Sequence, residues 1–473
     1  MITPSDVITT GLFGSPRLRL DSWTWKRRPS SRIARPAMLL GLVLAASAMR
    51  SAPSLSGDEQ ANWAQWRGPL GTGESASADP PVTWSETENI RWKTEIPGLG
   101  HSTPIVWEDR IFVTSAIPIG EALAPVYSDA PGAHDNLPVT HRVRFVVIAV
   151  SRRDGHILWQ RVLHEQIPHE AGHFTASLAS ASPVTDGEKL YVFFGSHGLF
   201  ALDLDGNLLW QKQLGTMQTR HGHGEGSSPV LHDLGLVVNW DHEGKSFIVA
   251  MDKSTGEVRW RQDRAEVTSW STPLIVTHRD RVQVVVAGTN RLRGYDLISG
   301  EVIWECGGLS RNIVATPVAA DGMLYAGSSY DTRALLAIDL DEAHGDITDT
   351  SHIAWSRTRA TPYVPSPLLY RGSLYFLRHY QGILTRVDAK TGDEPQGPFR
   401  LGSIRDVYSS PVASAGRIYI TDRAGLTLVI TADEVPRTLS VNQLDDGFNA
   451  SAALSGDEII LRGEKYLYCI GTE

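Results

Sequence analysis

Residues 227–273 read SSPVLHDLGLVVNWDHEGKSFIVAMDKSTGEVRWRQDRAEVTSWSTP, and this stretch is one unit of a repeat that fills most of the 473-residue chain. It begins and ends with small residues followed by proline. Between these anchors lie four short apolar runs, separated by Gly-containing turns or polar loops, and the fourth run carries Trp260. Four short strands joined by such turn chemistry are typical of one propeller blade.

The small-residue and proline anchor recurs along the chain, and its last copy, Ser451-Ala452-Ala453, is degenerate. From Pro183 onward the intervals are 46, 44, 44, 50, 44 and 42 residues, and the first interval of 79 is one repeat with an insertion. A regular period of this length decides the architecture. We therefore predict an all-β, eight-bladed propeller of four-stranded antiparallel blades. A parallel β-helix is the structural alternative, but its coils are much shorter than these repeats.

Closure of the ring follows from the two ends of the repeat region. The last copy ends at Tyr468-Cys469-Ile470 without a fourth strand, whereas Trp92 lies before the first anchor. We expect the N-terminal strand around Trp92 to complete the eighth blade, which leaves no open edge. Cys306 follows a fourth strand four blades away, so no disulfide between Cys306 and Cys469 is expected.

A second spacing runs from a small residue through Asp and Gly to Trp. Ala250, Asp252, Gly256 and Trp260 have it, and positions 294, 296, 300 and 304 repeat it. The pattern resembles the tryptophan-docking motif of pyrroloquinoline-quinone-type eight-bladed propellers, over nearly the whole chain after about residue 60. Packing between blades is the physical role of such indoles. The expected docking residues are Trp92, Trp159, Trp210, Trp260, Trp304 and Trp355.

The N-terminus differs from the rest of the chain. Basic residues between positions 26 and 35 precede the uncharged run 37–48, which is too short to cross a bilayer and ends in small residues suited to a cleavage site. We expect residues 1–48 to be a signal peptide, with translation starting at Met1 or Met38, and the mature protein to be periplasmic or secreted. A buried helix or an uncleaved anchor is the alternative. Residues 49–84 would form a lead segment and residues 85–473 the propeller.

Charge and cysteine content narrow the classes of partner. Beyond residue 48 the chain has 37 basic against 51 acidic side chains, a net charge of −14. Such a surface argues against nucleic acid or anionic lipid as a partner. Two cysteines are too few for a disulfide-rich scaffold or a four-cysteine zinc site.

One face of the predicted propeller is more elaborate than the other. In an antiparallel blade, the loops between second and third strands share a face with the links to the next blade, and an insertion at 116–142 falls there too. Binding loops on a rigid scaffold are the usual reason for such a face, although merely solvated side chains are the alternative. The candidates for a ligand or partner site are His101, His223, Glu225, Asp241, His242, Glu243, Trp270, Arg311, Asn312, Tyr363, Arg405, Asp406, Tyr408 and Asn449. The second-to-third loops of the same face also contain Tyr330, His379, Tyr380 and Arg423.

The stretch from His169 to His173 matches HExxH, in which a helix presents two His to zinc and the Glu acts as base. Gly172 weakens a helix, and the segment falls in a link between blades, where a helix of several turns is not expected. Metal binding by His169 and His173 stays open, with His221 or His223 as a third ligand.

The resemblance to quinone-type propellers implies two functional branches. Members of the first are quinone-dependent alcohol dehydrogenases, usually longer, with adjacent cysteines over the quinone and acidic plus Asn ligands for calcium; this sequence has neither pattern. Members of the second are non-catalytic, and the branch includes the scaffold propeller of the outer-membrane barrel-assembly machinery, whose lipobox this chain lacks. The preferred interpretation is an exported scaffold that binds a protein or saccharide partner. A PQQ-dependent oxidoreductase with calcium, or a metal-dependent hydrolase, is the alternative.

Overall fold

The computed structural model describes residues 62–472, and the expected signal peptide lies outside this range. Within it, eight separate sheets of antiparallel strands account for nearly all regular structure, and two 3-10 turns, Gly195–His197 and Arg220–Gly222, are the only helical elements described. The predicted all-β, eight-bladed propeller is confirmed. In residues 62–472 no helix is long and apolar enough to cross a membrane.

Strand β1 (Ile90–Glu95) precedes the first complete blade. The strands of blades 1 to 4 follow in chain order: β2 (Ile105–Trp107), β3 (Arg110–Ile119), β4 (Arg142–Ser151), β5 (Ile157–Gln166); β6 (Val184–Thr185), β7 (Lys189–Phe193), β8 (Leu199–Asp203), β9 (Leu208–Lys212); β10 (Val230–His232), β11 (Gly235–Trp240), β12 (Phe247–Met251), β13 (Val258–Asp263); β14 (Leu274–His278), β15 (Arg281–Ala287), β16 (Leu292–Asp296) and β17 (Val302–Cys306). Within each blade, successive strands pair from the axis outward.

Blades 5 to 8 repeat the plan, with one additional strand. Their strands are β18 (Val318–Ala320), β19 (Met323–Ser328), β20 (Ala334–Asp339), β21 (Gly345–Asp346), β22 (Ile353–Arg357); β23 (Leu368–Tyr370), β24 (Ser373–Leu377), β25 (Ile383–Asp388), β26 (Phe399–Arg400); β27 (Val412–Ser414), β28 (Arg417–Thr421), β29 (Leu426–Thr431), β30 (Thr438–Gln443); β31 (Ala453–Ser455), β32 (Glu458–Arg462) and β33 (Tyr466–Gly471). Strand β21 leaves blade 5 and pairs in parallel with β17 of blade 4.

The ring is closed as the sequence predicts. Strand β1 pairs antiparallel with β33, so the eighth sheet has the order β1-β33-β32-β31. Trp92 lies opposite Cys469 in this pairing. Both cysteines are buried and free.

Five tryptophans join neighbouring blades in the same way. Each indole N–H donates to a backbone carbonyl in the turn between third and fourth strands of the following blade: Trp92 to Arg152 at 2.8 Å, Trp159 to Leu204 at 3.1 Å, Trp210 to Lys253 at 3.2 Å, Trp260 to Leu297 at 2.9 Å and Trp355 to Ala389 at 3.0 Å. Each ring also covers a glycine of that turn. A Cβ on Gly300, whose φ is +76°, would lie 2.5 Å from the Trp260 ring.

Trp304 departs from this pattern. Its indole N–H donates at 2.7 Å to the side-chain oxygen of Gln283 in its own blade. The cross-strand partner of Trp304 is Gly294, where most other blades have alanine, and a Cβ there would lie 2.4 Å from the indole nitrogen. Trp304 nevertheless lies in one buried hydrophobic cluster with Leu324, Leu336 and Ile338 of blade 5, where an inter-blade packing residue is expected.

A belt of hydroxyls explains the anchors of the repeat. The Ser or Thr that precedes each first strand accepts a hydrogen bond from the equivalent backbone N–H of the previous blade, at 2.8–3.3 Å. Seven such links run through Ser182, Ser228, Thr272, Thr316, Ser366, Ser410 and Ser451. The eighth hydroxyl, that of Thr103, is buried without a partner at the seam between blades 8 and 1. Small polar residues recur there because one hydroxyl per blade satisfies a buried N–H.

The segment preceding β1 crosses the axis of the propeller. The Arg67 guanidinium is buried and donates to the carbonyls of Pro411 at 2.7 Å and Pro367 at 2.8 Å, in blades 7 and 6. Trp66 donates to the belt hydroxyl of Thr316, and Trp84 packs on Tyr419. This axial segment, residues 62–84, thus closes the channel on the side away from the elaborated face.

Candidate functional site

The insertion is packed onto the elaborated face. Strands β3 and β4 extend ten residues each, and the loop between them, residues 120–141, contacts the links that lead into blades 2 and 3. Leu137 N donates to Gly172 O at 3.0 Å, and Phe174 N donates to Asp135 O at 2.8 Å. Asn136 Nδ2 donates to His221 O at 2.7 Å. The insertion therefore forms part of a wall above the channel.

A cavity of about 760 Å³, which we call the cup, occupies the axis beneath this wall. The belt hydroxyls and Trp66 form its floor and lower side. Of the predicted face residues, the structure brings nine together in the cup: His101, His223, Glu225, Trp270, Asn312, Tyr363, Asp406, Tyr408 and Asn449. It also brings in Tyr330, His379, Tyr380 and Arg423 from the second-to-third loops of the same face. Four lining residues were not selected from the sequence: Trp66, His134, Asp135 and Phe174.

Aromatic rings form an arc along the side of the cup made by blades 5 to 7. Tyr330 stacks on Tyr363 with ring centroids 6.1 Å apart, and Tyr380 stacks on Tyr408 at 5.8 Å. His379 lies between the two pairs. Burial raises the pKa of Tyr363 to about 12 and also raises the pKa of Tyr408, so these phenols are uncharged at neutral pH.

Neutral hydrogen-bonding groups line the rest of the cup, and Asn312 adds one beside Tyr363 of the arc. Burial, with help from Arg462 and Arg423, lowers the pKa of His101 to about 3. Burial and the neighbouring imidazoles lower the pKa of His223 to about 4. Its Nε2 atom is buried without a hydrogen-bond partner, as are the Oδ1 atoms of Asn312 and Asn449. Three lining residues therefore each leave one buried polar atom unsatisfied.

Charge in the cup is largely paired. Arg423 donates to Asp406 at 2.8 Å, and its guanidinium lies over the rings of Tyr408 and Phe174. The imidazoles of His134, His173, His221 and His223 pack edge to face at the insertion end, with neighbouring ring centroids 4.7–5.3 Å apart. Burial lowers the pKa of His173, and the nearby Asp135 carboxylate opposes this shift only in part.

Glu225 joins the cup to a smaller side pocket between blades 2 and 3. Its carboxylate accepts the backbone N–H of Ser196 at 2.7 Å and lies 3.8 Å from His169 Nε2. Burial raises the pKa of Glu225 to about 7; the Ser196 hydrogen bonds oppose this, and the charge of Glu170 adds to it. A carboxyl group that titrates near neutrality can exchange protons with a bound ligand.

Five of the predicted face residues have other surroundings. Asp241 lines the side pocket, where it is fully buried and paired with Arg264 at 2.7 Å. Glu243 accepts from Thr268, and His242 accepts from Gln218 N. Arg311 pairs with Asp331, and the backbone N–H of Arg405 donates to Asp422 at 3.2 Å. These five residues hold loops of the face in place and do not line the cup.

The HExxH stretch is not a helix. Residues 167–176 are irregular, and Gly172 has a φ of +104°. His169 bonds the Met217 carbonyl and faces the side pocket, whereas His173 bonds Thr175 and faces the cup. The structure thus does not bring the two imidazoles together. Across residues 62–472, no three His, Cys, Asp or Glu side chains are arranged to hold a metal ion.

The architecture defines a class of protein: an eight-bladed propeller in which tryptophans join neighbouring blades, the N-terminal strand completes the ring, and an axial segment closes the channel beneath a polar cup. The family described as outer membrane protein assembly factor BamB matches residues 75–239 and 244–471. The chain belongs to this family. A comparison with curated proteins finds no match.

Solved structures share the fold at low identity. BamB from Moraxella catarrhalis is similar over 81% of this chain and 98% of its own, with 15% identity and a TM-score of 0.50. Quinohemoprotein alcohol dehydrogenase ADHIIG from Pseudomonas putida HK5 is similar over 88% of this chain and 81% of its own, with 11% identity and a TM-score of 0.55. The computationally designed Ika8 protein is similar over 83% of this chain and 100% of its own, with 9% identity and a TM-score of 0.52.

The quinone and calcium of the dehydrogenase branch can be tested against the cup. Pyrroloquinoline quinone is a flat tricarboxylate, so its site needs cationic groups, and calcium needs six or more oxygen ligands. Arg423 is already paired with Asp406, so the described lining offers the three carboxylates no unpaired guanidinium or ammonium group. Because no three His, Cys, Asp or Glu side chains of residues 62–472 gather as metal ligands, the lining does not fit a calcium-bound tricarboxylate.

Proposed function

We propose that this protein is an exported, periplasmic or secreted binding propeller that takes up part of its partner in the cup. The observation that carries the proposal is the combination of a cup closed at its floor by Trp66 and lined with unsatisfied polar atoms. Such a cavity has the size of known small-ligand sites, about 300–1,000 Å³, and buried polar atoms left without a partner are uncommon away from functional sites.

The rim of the cup supports partner binding as well. Val126, Tyr127 and Leu137 of the insertion and Phe174 beside it are large apolar side chains exposed to solvent. Exposed apolar groups rimmed by polar residues are typical of interaction surfaces. The matched family is described as an outer membrane protein assembly factor, and this description favours export and a scaffold role over catalysis.

An oxidoreductase role is the second candidate. It is favoured by the similarity to a quinohemoprotein alcohol dehydrogenase, and it is opposed by the charge of the cup. Mixing the purified protein with pyrroloquinoline quinone and Ca²⁺, followed by gel filtration, tests it directly. Quinone absorbance that stays with the protein would favour the oxidoreductase and contradict the binding-only role.

Site-specific photo-crosslinking tests the binding function in cells that export the protein. A benzophenone amino acid placed at Phe174, on the rim of the cup, is expected to form adducts. The matched control is Ile298, which is 70% exposed and lies in a turn on the opposite face. The same adducts from both positions, or none from either, would refute the proposal. Retention of the intact N-terminus in the cytoplasm would refute export.

A further inference from the structure

We infer that the ligand of the cup is a neutral saccharide, bound as the end of a short chain. This inference rests on the proposed binding function and adds the chemical class of the ligand. Three properties of the cup carry it: an arc of stacked aromatic rings, neutral hydrogen-bonding groups beside and across from the arc, and a closed floor.

The aromatic arc offers the first property. Tyr330, Tyr363, Tyr380 and Tyr408 form two stacked pairs, with interplanar angles of 26° and 20°, and all four line the cavity. The apolar C–H faces of a pyranose ring pack well on such rings, because the π-face carries partial negative charge. A peptide has no comparable flat, C–H-rich face along its backbone.

The neutral groups offer the second property. Asn312, Asn449 and His223 line the cup, and Asn312 Oδ1, Asn449 Oδ1 and His223 Nε2 have no hydrogen-bond partner. Sugar hydroxyls both donate and accept, so they can satisfy amide oxygens and imidazole nitrogens alike. The low pKa values of His101 and His223 keep these imidazoles uncharged and able to accept a hydrogen bond.

Charge distinguishes neutral from acidic sugars. Asp406 neutralises Arg423, Asp135 contributes negative charge to the same cavity, and Glu225, with a pKa of about 7, is about half ionised at neutral pH. A uronic acid or phosphate would meet these carboxyl groups without a free cation to bind, and like charges at close range repel. A neutral saccharide loses nothing from this arrangement.

The floor limits the length of ligand that can enter. Because Trp66 and Arg67 close the axis, a chain cannot pass through the propeller, and the cup holds one end of it. Its volume of about 760 Å³ accommodates roughly two to three sugar rings, in line with other ligand pockets.

Calorimetric titration of the purified exported chain tests the inference. The neutral probes are maltotriose, cellotriose and triacetylchitotriose; trigalacturonate is the acidic probe, and a Gly-Ser hexapeptide is the peptide probe. We expect at least one neutral trisaccharide to bind with a Kd below about 1 mM. Tyr363→Ala is expected to weaken binding about tenfold, whereas Tyr363→Phe keeps most of it because the ring face remains.

Two further variants guard against a folding defect. Tyr408→Ala changes the other stacked pair and should weaken binding similarly, and Ile298→Ala, in an exposed turn on the opposite face, should not. The unfolding midpoint of each variant is measured alongside. Equal affinity of wild type and both arc variants would overturn the inference.

The outcomes separate the ligand class from the binding function. Binding of trigalacturonate or the hexapeptide alone, or no binding of any probe, would overturn the neutral saccharide. If crosslinks still form at Phe174 in that case, the binding function stands and the ligand is of another class. If crosslinks fail as well, both proposals fall.

Discussion

Substitution of Gly300 by alanine tests whether the tryptophan joints hold the ring together. The new methyl group would lie 2.5 Å from the Trp260 ring, and the residue would keep a φ of +76°. The left-handed backbone costs about 1–2 kcal/mol, and displacement of the indole loses its hydrogen bond to Leu297, worth about 1 kcal/mol, together with packing. We expect a total loss of about 3–4 kcal/mol in the free energy of unfolding.

Gly372 provides the matched control for this substitution. It has a φ of +69°, and no atom lies within 4 Å of the Cβ that alanine would add. Gly372→Ala should therefore lose only the backbone contribution, about 1–2 kcal/mol. Urea unfolding of both variants measures the difference. Losses that agree within about 0.5 kcal/mol would refute the idea that close indole contact stabilises the joint, since such a difference is within ordinary error.

Three further predictions follow from the same structure. The pKa of Glu225 is about 7 in the folded protein, against an ordinary value of 4.5, so between these pH values the folded state keeps a proton that the unfolded chain has lost. The free energy of unfolding therefore falls by up to about 3 kcal/mol as pH rises through this range. Urea unfolding from about pH 4 to pH 8 should show this fall in wild type and not in Glu225→Gln. Ser228→Ala leaves a buried N–H unpaired and should lower the free energy of unfolding by about 1–3 kcal/mol, whereas Thr103→Val, which removes a hydroxyl without a partner, should be neutral or stabilising in the same assay. Trp260→Phe loses an inter-blade hydrogen bond and should speed hydrogen exchange at the blade 3 to 4 boundary. Trp304→Phe, which loses a hydrogen bond within its own blade, should speed exchange less at the blade 4 to 5 boundary, and equal acceleration at the two boundaries would contradict this difference.

The fold was predictable because the repeated residues make the same structural contact in most blades. The anchor near Ser228 recurs because each belt hydroxyl satisfies the N–H of the blade before it. The Trp260 spacing recurs because an indole must reach a carbonyl and a glycine in the next turn. Trp304 differs from the others only in the partner of its N–H, which is Gln283 of its own blade, and the glycine at position 294 was the available signal.

The cup was predictable only in part. The rule that sorts loops by face selected residues such as Asn312 and Tyr363, which do converge. Trp66 was missed because no repeat precedes β1, so nothing in the sequence places it on the axis. His134 was missed because an insertion has no blade position to compare with. Asp241 is polar and on the correct face, yet a buried partner, Arg264, holds it away from the cup.

The axial segment has a consequence for the order of assembly. Arg67 is among the earliest described residues to leave the ribosome, but the carbonyls it contacts belong to Pro367 and Pro411, about three hundred residues later. Trp63 can pair with Val106 of blade 1 early, but the Arg67 guanidinium stays without these two acceptors until seven of the eight blades have been synthesised. A chain cut short before blade 6 therefore leaves the Arg67 guanidinium without two of its carbonyl partners, and the closure of the axis depends on an almost complete polypeptide.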